Sequence, residues 1–217
     1  MVEREAPKVL NLLLSVYEGL DNGDHEKACR HLVECGAVIA SLPAKVTRVR
    51  ERCDADVFYN QIRPFLKGWS GDLPDGMKFG THGTVKLPGA SGGQRPLMRL
   101  LDIVFAVNHS GPGGLGIEEM MAAIPEQDRR VLDFFAKLPS LKDRCASEDA
   151  LLKAYNECVK ALLSFRESHL KIVAYFILKP ASKMGEQAAG TGGTDATSWL
   201  LEMRNDTKKA FIEQNNQ

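Results

Sequence analysis

Apolar residues recur along most of this chain at the spacing of a helix face, and almost nowhere at the spacing of two that a half-buried strand requires. The longest such stretch runs from Leu151 to Leu178, LLKAYNECVKALLSFRESHLKIVAYFIL, and reads as one amphipathic helix. At ~100° per residue, Leu162, Phe165, Ile172, Val173 and Phe176 all fall within about 60° of His169. That histidine therefore lies on the apolar face, with Arg166 one turn back on the same side.

The other stretches follow the same period. From Lys8 to about Tyr17 the pattern predicts a helix, broken by LDNGD. Asp24 is placed to cap the next helix, HEKACRHLVECGAVIASL, which is expected to stop near Pro43. Asp54 reads as the cap of ADVFYNQIR. Pro64 then lacks an N–H and disfavours helical geometry at Arg63, so a kink or an end is expected there. On a straight helix Phe58 and Arg63 would point about 140° apart, so both reach one cavity only if the helix bends.

Gly68 to Gly93 is glycine-rich and without periodicity, and leads into the helix LMRLLDIVFAV, which carries one buried-looking acid, Asp102. A second glycine cluster, SGPGGLG, precedes IEEMMAAI; EQDRRVLDFFAKL follows and ends at Pro139. Ser147 and Glu148 begin the long helix, which is expected to end at Pro180. After the loop ASKMGEQAAGTGGTD, Asp195 caps the last helix, ATSWLLEMRNDTKKAFIEQ. With no internal repeat, the expectation is a single all-α domain over residues 1–217.

Composition narrows the possible partners. The 217 residues, 44% of them hydrophobic, suffice for a sizeable core. Lysine and arginine total 28, as do aspartate and glutamate, so the formal net charge is zero. That balance argues against a nucleic-acid surface or a polybasic membrane patch, and no apolar run is long enough to span a bilayer. MVEREAPKV does not read as a signal peptide. The cysteines (Cys29, Cys35, Cys53, Cys145, Cys158) are odd in number and never spaced as CxxC. They read as free thiols, with the cytoplasm as the default location.

A histidine on an apolar face is ordinarily a core residue with a hydrogen-bonding partner; otherwise it binds something. The guanidinium of Arg166 one turn away would suit an anion-bearing cofactor. His25, His31 and His109 adjoin loops or polar faces and His82 sits in the glycine loop, so all four read as solvated. No glycine turn matches GxxxxGK[ST], and HExxH is absent. A single ligating histidine with open surroundings fits haem iron, which needs one proximal protein ligand. GTGGTD is either a linker with a helix cap or a loop able to close over a ligand carboxylate or hydroxyl with backbone donors.

Four blocks in order, FYNQIRPFLKGW, GASGGQ followed by LLD, AYNECVKALLSFRESHLKIVAYFILKPAS, and GTGGTD, resemble the indoleamine 2,3-dioxygenase family. The similarity runs from about Lys8 to Phe211. It implies an all-α haem domain. It also implies an oxidoreductase that converts L-tryptophan or a related indoleamine, with dioxygen, to N-formylkynurenine in tryptophan catabolism. The resemblance makes His169 the proximal ligand of the iron of haem b, and sets Arg166 near a haem propionate, paired with Asp102. It sets Phe58 against the substrate indole and Arg63 on its carboxylate. Ser91 and Gly92 fall on small residues of the distal haem face, and Thr191 and Gly192 on the loop that closes over substrate.

The chain also departs from the family pattern. Arg95 and Pro96 stand where two serines usually follow GQ, and Asp128 and Ala123 replace a histidine and an aromatic residue. Against the family's length, a small N-terminal domain that supplies part of the distal wall is expected to be absent, which would leave that domain as a partner of a monomeric chain. Two further readings stay open at this point: a haem protein without turnover, carrying or sensing oxygen, and an interaction module of the same fold.

Overall fold

The computed structural model describes residues 2–66, 76–85, 89–90, 92–109, 121, 124–186 and 196–213. After a 3₁₀ turn (Glu3–Glu5), α1 (Ala6–Asp21) ends at Asn22 and Gly23, whose φ of 70° makes the left-handed turn that a side chain would strain. Asp24 then accepts the Lys27 N–H at 2.9 Å and opens α2 (His25–Thr47). The corner between these helices is tight. A Cβ at Gly19 would stand 2.9 Å from the Ala28 nitrogen, so only glycine allows the approach.

Three helices cross prolines at which the sequence predicts an end or a kink. In α2, Pro43 lies inside the helix, which continues to Thr47 and into a 3₁₀ turn (Arg48–Glu51). Leu42 is fully buried beside Pro43, and tertiary packing of that kind overrides a local penalty of ~3 kcal/mol. At Pro64 and Pro180 the solution is a wider turn. α3 (Ala55–Val57), capped by Asp54 as expected, passes through a π turn (Phe58–Ile62) into α4 (Arg63–Leu66), with the Arg63 N–H donating to the Phe58 carbonyl. The widened turn just before Pro64 relieves the collision its ring would make with the carbonyl four residues back.

The same device recurs in the long helix. α5 (Pro96–Val104), α6 (Glu126–Ala136) and α7 (Leu141–Cys145), the last capped by Ser140, precede α8 (Asp149–Val173). A π turn (Ala174–Leu178) carries α8 into α9 (Lys179–Met184), so the helix passes Pro180 instead of ending there. α10 (Ala196–Lys209) closes the described chain, and a two-residue antiparallel hairpin (Met77–Lys78 with Thr84–Val85) is too short to form a layer. The class is all-α.

α8 is the central element. α2 lies along one side of it, α1 on α2, and α10 also packs on α8. Small residues bring α2 and α8 close together: the Cys158 thiol donates to the Leu32 carbonyl at 3.2 Å, and a Cβ on Gly36 would stand 3.2 Å from that sulfur. Fully buried Leu13, Leu32, Ile39, Leu151 and Leu162 fill the interior, each worth ~1.5–3 kcal/mol by burial. Buried Tyr155 donates its hydroxyl to the Phe105 carbonyl at 2.8 Å. Asn156 of α8 exchanges two hydrogen bonds with the Ile212 backbone, 3.0 and 2.9 Å, and so fastens the segment after α10. All five cysteines are free thiols, and no helix among the described residues is long and apolar enough to cross a membrane.

Candidate functional site

His169 projects from the last turns of α8 into a cavity of about 1060 Å³. The cavity lies between α5, α8, α10, the end of α2 and the N-terminal turn, and its size is at the upper end for ligand pockets, ~300–1,000 Å³. One side of the imidazole stacks near Phe165, one helical turn earlier, with ring centres 6.4 Å apart and an interplanar angle of 25°. Neither ring nitrogen is hydrogen-bonded to a described residue, so the partner expected of a core histidine is missing. Burial, reinforced by the positive charge of Arg166, holds the imidazole below the ordinary histidine value. The neutral ring so favoured is the form that ligates a metal.

Arg166 lies on the same side of α8 and pairs with Asp102 of α5. Both line the cavity, and both are largely buried. Burial pushes the Asp102 carboxyl up, but the Arg166 charge and the hydrogen bond from His109 outweigh it and keep the group below the usual carboxylate value. Asp102 is therefore ionised, with one oxygen on Arg166 and the other on His109.

That histidine corrects the sequence reading, which placed His109 in solvent. Its side chain is 2% exposed, with Nε2 3.3 Å from Asp102 Oδ2 and Nδ1 3.1 Å from Asp206 Oδ2. Asp206, on α10, also accepts from Lys209 at 2.7 Å. Burial raises the Asp206 carboxyl, and the hydrogen bonds from Lys209 and His109 more than reverse that. The chain thus runs Arg166, Asp102, His109, Asp206, Lys209 and ties three helices together. Its cause is a reversal after α5: Ala106 adopts φ 49°, and the Val107 N–H returns to the Asp102 carbonyl at 2.8 Å. A period count along α5 carries no sign of this turn. His25 is half exposed on Glu148, as expected, whereas His31 is largely buried, with its Nδ1 shielded from solvent beside Glu34.

The other expected site residues divide into three groups. Gly92 does reach His169: a Cβ built on it would stand 3.8 Å from Cε1 of the ring. Phe58 and Arg63 are brought into line by the π turn, but they do not line the His169 cavity. The Phe58 ring instead meets Phe176 edge-on at 5.3 Å, in the π turn that follows α8. Arg63 is buried with its guanidinium 5.0 Å over the Tyr59 ring. Ser91, Thr191, Gly192, Ala123 and the Asp195 cap lie outside the described residues.

The cavity wall carries a chemical bias that was not read from the sequence. Six basic side chains line it (Lys45, Arg48, Arg52, Arg95, Arg99 and Arg166) against the acids Glu3, Glu51 and Asp102. Between them lie Met98, Phe165, Leu200 and Met203. The Nε atoms of Arg99 and Arg166 are buried without a hydrogen-bond partner. Apolar walls, unsatisfied guanidinium donors and one neutral imidazole suit a flat apolar ring that bears carboxylates and a metal with a single protein ligand. Haem fits that donor set.

Comparison with known proteins points the same way. The sequence model of the indoleamine 2,3-dioxygenase family matches residues 1–210. Indoleamine 2,3-dioxygenase 1 of Rattus norvegicus is 30% identical, over 98% of this chain and 57% of the rat protein. Indoleamine 2,3-dioxygenase of Saccharomyces cerevisiae is 27% identical, over 94% of the chain and 56% of the yeast protein. Myoglobin of Haliotis diversicolor is 28% identical, over 96% of the chain and 58% of that protein. The chain therefore spans somewhat more than half the length of each curated relative it matches.

Proposed function

The chain belongs to the indoleamine 2,3-dioxygenase family, and on that premise we propose that residues 1–217 form one helical haem-binding domain of a tryptophan-oxidising dioxygenase. The observation that carries the reading is His169, a neutral imidazole without a hydrogen-bond partner on the wall of a cationic, apolar-sided cavity. His169 would be the single protein ligand of the haem iron. Arg166, held in place by Asp102, would face a propionate with the guanidinium nitrogen it does not use in its ion pair.

Bound haem would supply the dioxygen chemistry, the insertion of both oxygen atoms across the double bond of the indole five-membered ring to give N-formylkynurenine. The protein's share is positioning. Arg63 would hold the carboxylate of L-tryptophan, a task for which a bidentate guanidinium is suited. Phe58 would pack on the indole, Ser91 and Gly92 would leave room beside the ring, and Thr191 with Gly192 would close over the bound amino acid. For this, Arg63 must leave its place over Tyr59 when substrate enters.

A second reading, reversible oxygen binding without turnover, is favoured by a specific observation: Phe58 and Arg63 stand outside the cavity that holds His169. The likeness to the Haliotis diversicolor myoglobin over nearly the whole chain agrees with it. One experiment tests both. The purified chain, supplemented with haem, is examined by absorption spectroscopy and then supplied with tryptophan and reductant. A Soret band lost in His169→Ala, with N-formylkynurenine formed, supports the dioxygenase. The same band without product supports the oxygen binder, and a spectrum unchanged by His169→Ala sinks both.

A further inference from the structure

We infer that Arg99 is a second carboxylate-binding residue of the His169 cavity, and that the carboxylate it takes is the haem propionate left over by Arg166. The inference rests on the haem reading of the cavity. α5 places Arg99 three residues before Asp102, on the same helix face, and both side chains line the cavity. The Arg99 Nε is buried without a hydrogen-bond partner, and its guanidinium makes no ion pair or hydrogen bond with any described residue. A buried guanidinium N–H left without an acceptor is costly until an acceptor meets it.

The cavity's own acids do not supply that anion. Asp102 is the acid next to Arg99 along the helix, but Oδ1 is engaged by Arg166 and Oδ2 by His109 at 3.3 Å. Glu51 is taken by Arg48 at 3.1 Å. Glu3 accepts the Leu97 N–H through Oε2, while Oε1 has no partner, and burial holds its carboxyl above the ordinary value. The wall is left with unmatched positive charge beside an apolar, aromatic interior. The ligand that fits is amphiphilic, with a hydrophobic body and more than one carboxylate. Haem b has two propionates: one falls to the Arg166–Asp102 pair and the other to Arg99. A carboxylate could also come from the amino-acid substrate, and the test separates the two sources.

The apoprotein is titrated with ferric haem and, separately, with haem dimethyl ester, in which both propionates are uncharged. Wild type, Arg99→Ala and Arg99→Lys are compared, with circular dichroism as a check on folding. Arg99→Ala should weaken haem binding about tenfold or more and leave the ester's affinity unchanged, and Arg99→Lys should recover part of the loss. Equal haem affinity in wild type and Arg99→Ala overturns the inference and leaves the haem reading intact. Equal weakening for haem and ester, or misfolding of both variants, shows a structural role and also overturns it. Unchanged haem affinity with a raised KM for tryptophan would assign Arg99 to the substrate carboxylate and defeat the propionate assignment. If wild type takes up neither haem nor ester, the reading of the cavity has failed and the inference falls with it.

Discussion

His109 Nδ1 lies 3.1 Å from Asp206 Oδ2, and through this contact the C-terminal helix α10 is tied to the wall of the His169 cavity. The other ring nitrogen meets Asp102, so one imidazole separates two carboxylates that would otherwise face each other in a buried space. Carboxylates only accept when ionised, so the ring is bonded on both sides only when both nitrogens carry hydrogen.

His109→Ala should therefore be among the most damaging single substitutions in the protein. It leaves two buried carboxylates without the group between them, a change that typically costs ~3–5 kcal/mol. Urea unfolding at neutral pH measures it directly. A loss comparable to that of an exposed histidine, such as His25→Ala, would show that the bridge carries little weight.

Acid sensitivity follows from the same chain. Asp102 and Asp206 both have folded-state values held below the reference of 3.8, by Arg166 and His109 in one case and by Lys209 and His109 in the other, against the opposing effect of burial. Carboxyls depressed in the folded state stabilise it fully above their unfolded value, and that contribution is lost as the pH falls through the folded value. Stability should thus hold down to about pH 5 from these groups and then decline steeply below pH 4. Asp206→Asn should flatten that acid limb. If the wild-type and variant curves stay parallel below pH 4, Asp206 is not the source.

The corner at Gly19 offers a test of packing alone. A Cβ there meets the Ala28 nitrogen at 2.9 Å and the Asp24 carbonyl oxygen at 3.0 Å, and both are backbone atoms with no rotamer to yield. Gly19→Ala should destabilise by ~1–3 kcal/mol through overpacking, although alanine is the better helix former. Thermal melting would reveal this, and a raised Tm would refute the geometry of the corner.

The sequence makes much of this fold legible because helix starts are local. Asp24 and Asp54 cap where their side chains say they should, and the face carrying His169 follows from period alone. The helix ends were harder to read. Pro43 is overridden by the packing of Leu42, while Pro64 and Pro180 are passed by π turns that no proline rule anticipates. The pairing of Asp102 with Arg166 was implied by the family resemblance, and it agrees with the need of two charges on apolar helix faces for each other. His109 was not legible, since its burial depends on the reversal at Ala106 and on Asp206, almost a hundred residues on. Arg99 was passed over because a lone arginine on an amphipathic helix carries no mark until the cavity beside it is seen.

The placement of Arg63 allows haem binding to be tested apart from tryptophan binding. Its guanidinium sits over Tyr59, on an element that touches the π turn after α8 and not the His169 cavity. Arg63→Ala should therefore leave the haem spectrum and haem affinity unchanged. If Arg63 swings from Tyr59 to the tryptophan carboxylate, the same variant should lose the spectral shift that tryptophan induces, with affinity lowered ~10–100-fold for a charge-assisted bidentate contact. Tyr59→Leu removes the aromatic face that holds the guanidinium, and should weaken tryptophan less than Arg63→Ala does or even strengthen it. Tryptophan affinity unaltered in Arg63→Ala would mean that Arg63 stays on Tyr59 as a structural cation, and the oxygen-binding reading would then gain.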